Sequence, residues 1–167
     1  MNEQDPISPV VIFFGDPPVE AHLYYGEPCV LEGLPTGSVH ILLSPLPAAE
    51  NIDEKELFRV RHFRSAKVPW SQLYYAMKDF GKGCCPECHA PWVLDFDLLT
   101  LEDSVMPSCQ CQRQEPVPCT VLDLLAGDGT VALAVLKAGL KYIGIEDARP
   151  ELLGEACRMI QEGGKSE

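Results

Sequence analysis

The chain has 167 residues, 13 basic against 25 acidic, for a net charge of −12. A field of that sign repels phosphate backbones and excludes an ordinary nucleic-acid binder, which carries a basic face. Its 46% hydrophobic content excludes wholesale disorder, and no segment is apolar for long enough to cross a membrane.

Residues 10–14 ("VVIFF") read as a buried strand stopped by Gly15, Pro17 and Pro18, with residues 23–25 as a short extension. Residues 27–34 suit one or two helical turns closed by Pro35. "SVHILL", residues 38–43, is strand-like and is broken by Pro45 and Pro47. Asn51 caps a helix start over 51–55, with Glu54 at the third position of its first turn. "RVRHFRSAK" gathers Arg59, Arg61, Arg64 and Lys67. It reads as a solvated loop or helix face, or else as a phosphate contact. Residues 71–80 form a short helix capped by Ser71. Its aromatic side chains suit packing, and Trp70, Tyr74 and Tyr75 alternatively suit stacking on a base.

The last third has the clearest pattern. Residues 120–123 are a short strand, followed by the turn "AGDG" and a helix over 130–138 ended by Gly139. A second strand covers 141–145 and ends at Glu146. Leu152, Leu153, Ala156, Cys157 and Ile160 then make the apolar stripe of a final helix, with Pro150 in its first turn. Residues 163–167 read as a frayed tail. Strand, helix, strand, helix predicts a parallel α/β sheet.

Eight cysteines without a secretory start (Met1 to Asp5 is polar and acidic) favour a reducing, cytoplasmic compartment and a metal over disulfides. Cys85-x2-Cys88 and Cys109-x-Cys111 each present two sulfurs to one tetrahedral ion, with the intervening chain closing as a loop. Zinc is the default for four thiolates, and a closed set leaves no catalytic position. Cys84 is a spare, His89 a surface histidine, and Cys29, Cys119 and Cys157 small buried residues. Trp92 reads as a core anchor of the knuckle.

In "VLDLLAGDGTVALAVLKAG", Asp123 stands at a strand end and Gly127 and Gly129 in the turn. Glycine permits a tight path and close approach by a ligand. The helix start offers free amides, and Glu146 at the next strand end suits both hydroxyls of a ribose. The alternative is a glycine-rich turn that binds nothing.

Residues 121–160 resemble the C-terminal part of the amino-group DNA methyltransferases, which modify adenine N6 or cytosine N4, in the subgroup with the cofactor motif placed late. The "CPECHAPW" module upstream is similar to that of phage and bacterial members. The resemblance implies a partial Rossmann-like methyltransferase sheet with a small zinc-knuckle insert. It implies that Asp123, Ala126, Gly127 and Gly129 surround S-adenosylmethionine and that Glu146 holds its ribose. Leu124 and Leu125 stand where the family has Pro-Phe, and Asp128 where it has a small residue. Asp147-Ala148-Arg149-Pro150 also departs from the family's usual helix start, so the expected affinity is weak.

The family's base-binding loop is Asp, Asn or Ser followed by Pro-Pro and an aromatic, which stacks on the flipped base. "LPTGSVHILLSPLP" resembles its opening, so Ser44 and Pro45 take the catalytic positions, with Leu46 for proline and Pro47 for the aromatic. Asp16-Pro17-Pro18-Val19 is the competing register. The stretch between Pro47 and Cys84 is too short for the family's usual strands and target-recognition region.

The expected organisation is an N-terminal part over 1–83, a knuckle insert over 84–111, the cofactor part of the same domain over 112–162, and a tail. The expected function is that of a pseudoenzyme: an acidic regulatory factor binding a DNA-processing enzyme, as a protein partner or a homodimer. DNA contact requires a basic face, and the setting is a bacterial host cell if the chain is phage-encoded. The alternatives are an active methyltransferase completed by dimerisation, and a purely structural or regulatory zinc protein.

Overall fold

The structure, a computed structural model, describes residues 9–26, 34–35, 37–44, 61–63, 70–112, 115–124, 126–146 and 149–164. The strands are β1 (Val10–Phe14), β2 (Val19–Tyr25), β3 (Ile41–Leu43), β4 (Arg61–Phe63), β5 (Trp92–Asp97), β6 (Glu102–Pro107), β7 (Thr120–Asp123) and β8 (Lys141–Glu146). The helices are α1 (Trp70–Phe80), α2 (Thr130–Lys137) and α3 (Pro150–Gly163).

Six strands form one sheet in the order β1-β2-β8-β7-β3-β4, parallel throughout except for the antiparallel β1–β2 hairpin. β5 and β6 form a separate antiparallel pair. The expected α/β class with a parallel sheet is therefore present. No described helix is long and apolar enough to cross a membrane.

Side chains alternate across the sheet as the pleat requires. Ile41, Leu43, Val121, Tyr142, Ala21 and Leu23 face one cluster, which also buries Leu73, Ala76 and Met77 of α1, Ala132, Val135 and Leu136 of α2, and Ala156 and Ile160 of α3. Each fully buried leucine or isoleucine there contributes about 1.5–3 kcal/mol relative to exposure. Leu42, Leu122, Ile143 and Ile145 face the other way, in a second cluster with Val39 and Leu124. Among the described residues no helix contributes to that second cluster.

Several expectations are corrected. Residues 10–14 are not a buried strand but the sheet's edge: Ile12 is buried, Phe14 packs in part against the core, and Phe13 is 66% exposed. Residues 23–25 are the end of a seven-residue strand that pairs with β8 from Ala21↔Tyr142 to Tyr25↔Glu146. Within the basic stretch, Arg61–Phe63 is neither loop nor helix but a strand beside β3. Its Arg61 bonds Asp79 at 2.8 Å and lies over Phe80, tying β4 to α1 rather than presenting a free cation. Arg59, Arg64, Lys67, the 51–55 helix start and almost all of the 27–34 turns lie outside the described residues. Trp70, Tyr74 and Tyr75 do not pack: all three are exposed, because α1 turns Leu73, Ala76 and Met77 inward. Gly163 is not frayed. It ends α3 against Leu133 of α2, where a side chain would collide.

Candidate cofactor turn and metal centre

β8 lies on one side of β7 and β3 on the other, so the chain's progression through the sheet reverses between β7 and β3. Open α/β sheets bind ligands in the crevice beyond the strand ends at such a point. Leu43 is registered with Asp123, and the Leu124 amide donates to the Leu43 carbonyl at 2.9 Å. Ser44 and Asp123 therefore stand at the same edge of the sheet. The competing Asp16-Pro17-Pro18 forms the β1–β2 turn at the opposite edge, where β2 begins. Pro45, Leu125, Asp147 and Cys29 lie outside the described residues.

The structure brings Asp123, Ala126, Gly127 and Glu146 together. Glu146, buried, accepts the Gly127 amide at 3.3 Å through Oε2 and the Arg149 amide at 3.0 Å through Oε1. The Ala126 amide donates to the Ile145 carbonyl at 3.2 Å. Asp123, also buried, accepts the Tyr142 hydroxyl at 2.8 Å. Burial, and then the charge of Asp123, push the Tyr142 phenol well above its ordinary value. Tyr142 went unnoticed in the sequence, though its place before Gly144 marks it.

Two turn residues serve the fold directly. Gly129 has φ 93°, and a Cβ there would meet the Ala156 Cα of α3 at 2.7 Å, so this glycine admits α3. Asp128 does not point into the turn. Its Oδ1 accepts the Thr130 hydroxyl at 2.7 Å and the Thr130 amide at 3.0 Å, just before α2, and the Thr130 hydroxyl chiefly holds its carboxyl below the usual range. Ser44 is buried and lies 2.6 Å from His62 Nε2 across the β3–β4 pair; burial keeps that imidazole below its ordinary pKa. His62 was missed because it fell within the stretch read as a loop or helix face.

The metal module stands at the other end of the sheet. Gly83 packs against Pro116, and Cys84 exchanges both backbone hydrogen bonds with Val117 at 2.8 and 2.9 Å, shortly before β7 begins. The residues between the two cysteine pairs are not a plain loop. β5 and β6 pair from Trp92↔Pro107 to Asp97↔Glu102, which sets the two cysteine-bearing limbs side by side. The Ser108 hydroxyl donates to the Pro91 carbonyl at 2.7 Å and closes the base. Trp92 is half-buried at that base, less than a core anchor.

The sulfurs of Cys85, Cys88, Cys109 and Cys111 all lie within 4.8 Å of one another, close enough to chelate one metal ion. The Glu87 amide donates to Cys85 Sγ at 3.4 Å. Amides of Cys88 and then Glu87 bring the Cys85 thiol down to about 7, while contact with Cys88, burial and the other two sulfurs push Cys111 far up. Four sulfurs in contact cannot all ionise without a cation, and a divalent ion removes that conflict. The donor set and its packing fit a closed tetrahedral site.

Cys119 is the small buried residue expected, and Cys84 stands outside the four-cysteine group but is not idle. Their sulfurs and an imidazole nitrogen of His40 form a second buried group, again within 4.8 Å. The Cys119 thiol, then His40, hold Cys84 down to about 5, and the same bond to Cys84, with burial, pushes Cys119 far up. His89, read as a surface histidine, is half-buried and offers its carbonyl to His40 Nε2 at 2.8 Å. Cys157 is half-buried against the main cluster.

Comparison with protein-family models, curated proteins and solved structures finds no match to this chain.

Proposed function

We propose that the chain is a degenerate relative of the amino-group DNA methyltransferases, with a partial Rossmann-like sheet, that works by binding rather than by methyl transfer. The observation that carries this reading is the pair of Ser44 and His62. The family resemblance gives Ser44 the role of receiving the target amine, yet the residue is 1% exposed and its hydroxyl is held at 2.6 Å by a neighbouring strand's histidine. A base could reach that hydroxyl only by opening the enclosure around it. Leu46 and Pro47 supply no aromatic face for stacking.

S-adenosylmethionine, where bound, would lie over Gly127 with its ribose on Glu146, and would supply a methyl group. Each oxygen of Glu146 accepts one backbone amide, which orients the carboxylate and leaves a lone pair on each for a ribose hydroxyl. Binding is weak because Leu124 and Leu125 replace the Pro-Phe that the family resemblance calls for. Zinc at Cys85, Cys88, Cys109 and Cys111 is structural. The remaining asset is charge: a surface of net −12 complements the basic DNA-facing side of a DNA-processing enzyme, met as a monomer or a homodimer.

The test is transfer of a labelled methyl group from S-adenosylmethionine to duplex DNA of varied sequence. No transfer is expected. Reproducible transfer that vanishes in Ser44→Ala would replace this reading with the active enzyme.

A further inference from the structure

We propose that His40, Cys84 and Cys119 form a second metal site, taking one Zn2+ on two thiolates and one imidazole and leaving a fourth position open to the adjoining cavity. The donor atoms lie within 4.8 Å of one another, and the residues are 1, 2 and 0% exposed. His40 precedes β3, Cys84 opens the knuckle and Cys119 precedes β7. No local spacing brings them together; the sheet and the Cys84–Val117 bridge do. The neighbours Cys84 and Cys85 thus serve different clusters.

The imidazole is oriented as a ligand's is. A metal-bound histidine gives its other ring N–H to a carbonyl or carboxylate, which fixes the tautomer. Nε2 lies 2.8 Å from the His89 carbonyl, which only accepts, so Nε2 carries the proton and Nδ1 the lone pair. That lone pair takes the Thr120 amide at 3.1 Å. Metal binding exchanges this one neutral contact for a coordinate bond. Without metal the sulfurs have only one another, His40 and, for Cys84, the Pro118 carbonyl at 3.8 Å as partners. Buried polar groups with weak partners are costly, and one soft divalent ion satisfies both sulfurs and the lone pair together.

His40 and Cys84 line a cavity of about 360 Å³, with Glu20, Ser38 and Lys141 also on its wall. Ser38 Oγ is buried there without a hydrogen-bond partner among the described residues. Three protein ligands beside a cavity that carries Glu20, Ser38 and Lys141 leave room for water or a small anion as the fourth, unlike the closed four-cysteine site.

The experiment is metal analysis of the full chain purified without added metal, together with titration by Co2+. Two metal ions per chain are expected, with one lost in Cys119→Ala and the other in Cys109→Ser. Cobalt is expected to saturate at two equivalents, in a four-thiolate centre and a distinct two-thiolate centre, a readout that needs no variant. Saturation of the wild type at one equivalent with a four-thiolate spectrum overturns the proposal. So does a second ion that survives Cys119→Ala. A single ion that survives Cys109→Ser but not Cys119→Ala upholds this site and removes the four-cysteine one.

Discussion

The Tyr142 hydroxyl donates to Asp123 Oδ2 at 2.8 Å, across the space that Gly144 leaves open. Tyr142 and Gly144 share a face of β8, and Gly144 is registered with Asp123. A Cβ on Gly144 would stand 2.5 Å from the tyrosine ring. The carboxylate beneath the glycine-rich turn is thus held by its own sheet.

Tyr142→Phe is expected to cost about 1–3 kcal/mol, the penalty for taking a partner from a buried acceptor. Gly144→Ala should cost at least as much by displacing the ring. Chemical denaturation of both variants and the double variant measures this. The double loss should be smaller than the sum, since both changes break one contact.

The raised Tyr142 pKa has a signed consequence for alkaline stability. The unfolded tyrosine ionises near pH ~10 while the folded one keeps its proton, so the unfolded state binds fewer protons above that pH. The stability linked to Tyr142 is complete below the unfolded value and is lost as pH rises beyond it. Denaturation midpoints should fall more steeply above that pH in the wild type than in Tyr142→Phe.

Gly129→Ala tests what the turn's second glycine is for. Its positive φ and the approach of Ala156 predict a loss of more than about 1 kcal/mol with no ligand present. Asp128→Ala should cost about 0.5–1.5 kcal/mol through its lost bonds to Thr130. Asp128→Ser should leave ligand affinity unchanged, because the carboxylate faces Thr130. Thermal melts and calorimetry separate the two effects.

Removing metal from the four-cysteine site should loosen the β5–β6 hairpin before the main sheet. Cys85→Ser or Cys109→Ser is expected to lower metal content by one ion and to raise hydrogen exchange in β5 and β6. Acid should release the ion too, since its ligands must be thiolates and protons compete with the metal for the sulfurs. Unchanged exchange in β5 and β6 after metal loss would show that the hairpin stands without it.

Binding of S-adenosylmethionine is expected in the upper micromolar range or weaker. Glu146→Gln keeps the shape but loses the charge and one of the two acceptor oxygens, so only one of the Gly127 and Arg149 amides keeps its partner. It should weaken a calorimetric signal by about one to two decades, the worth of a hydrogen bond to a charged group. Submicromolar binding indifferent to Glu146→Gln would place the ligand elsewhere.

The run from Thr120 to Gly163 was legible because each element is local: a strand, a glycine turn and an amphipathic helix declare themselves within a dozen residues. β2 carries an equally plain alternation, Val19, Ala21 and Leu23 inward, but Pro17 and Pro18 drew attention to a break rather than a hairpin. "VVIFF" reads the same at an edge as at a centre, since hydropathy does not say how many neighbours a strand has. The four knuckle cysteines come in spaced pairs and were found. His40, Cys84 and Cys119 share no spacing, and only the fold unites them.

The pairing of β2 with β8 joins residue 21 to residue 142, and β3 waits for β7. On a ribosome, β2 and β3 must therefore each keep one edge unpaired until residues 120–146 emerge. The hairpin and its cysteines, closed over a short stretch, can form well before that. Such late, long-range closure is slow and leaves apolar strands uncovered during synthesis. Yield in a cell should thus depend on chaperone supply and temperature more steeply than the finished protein's stability suggests.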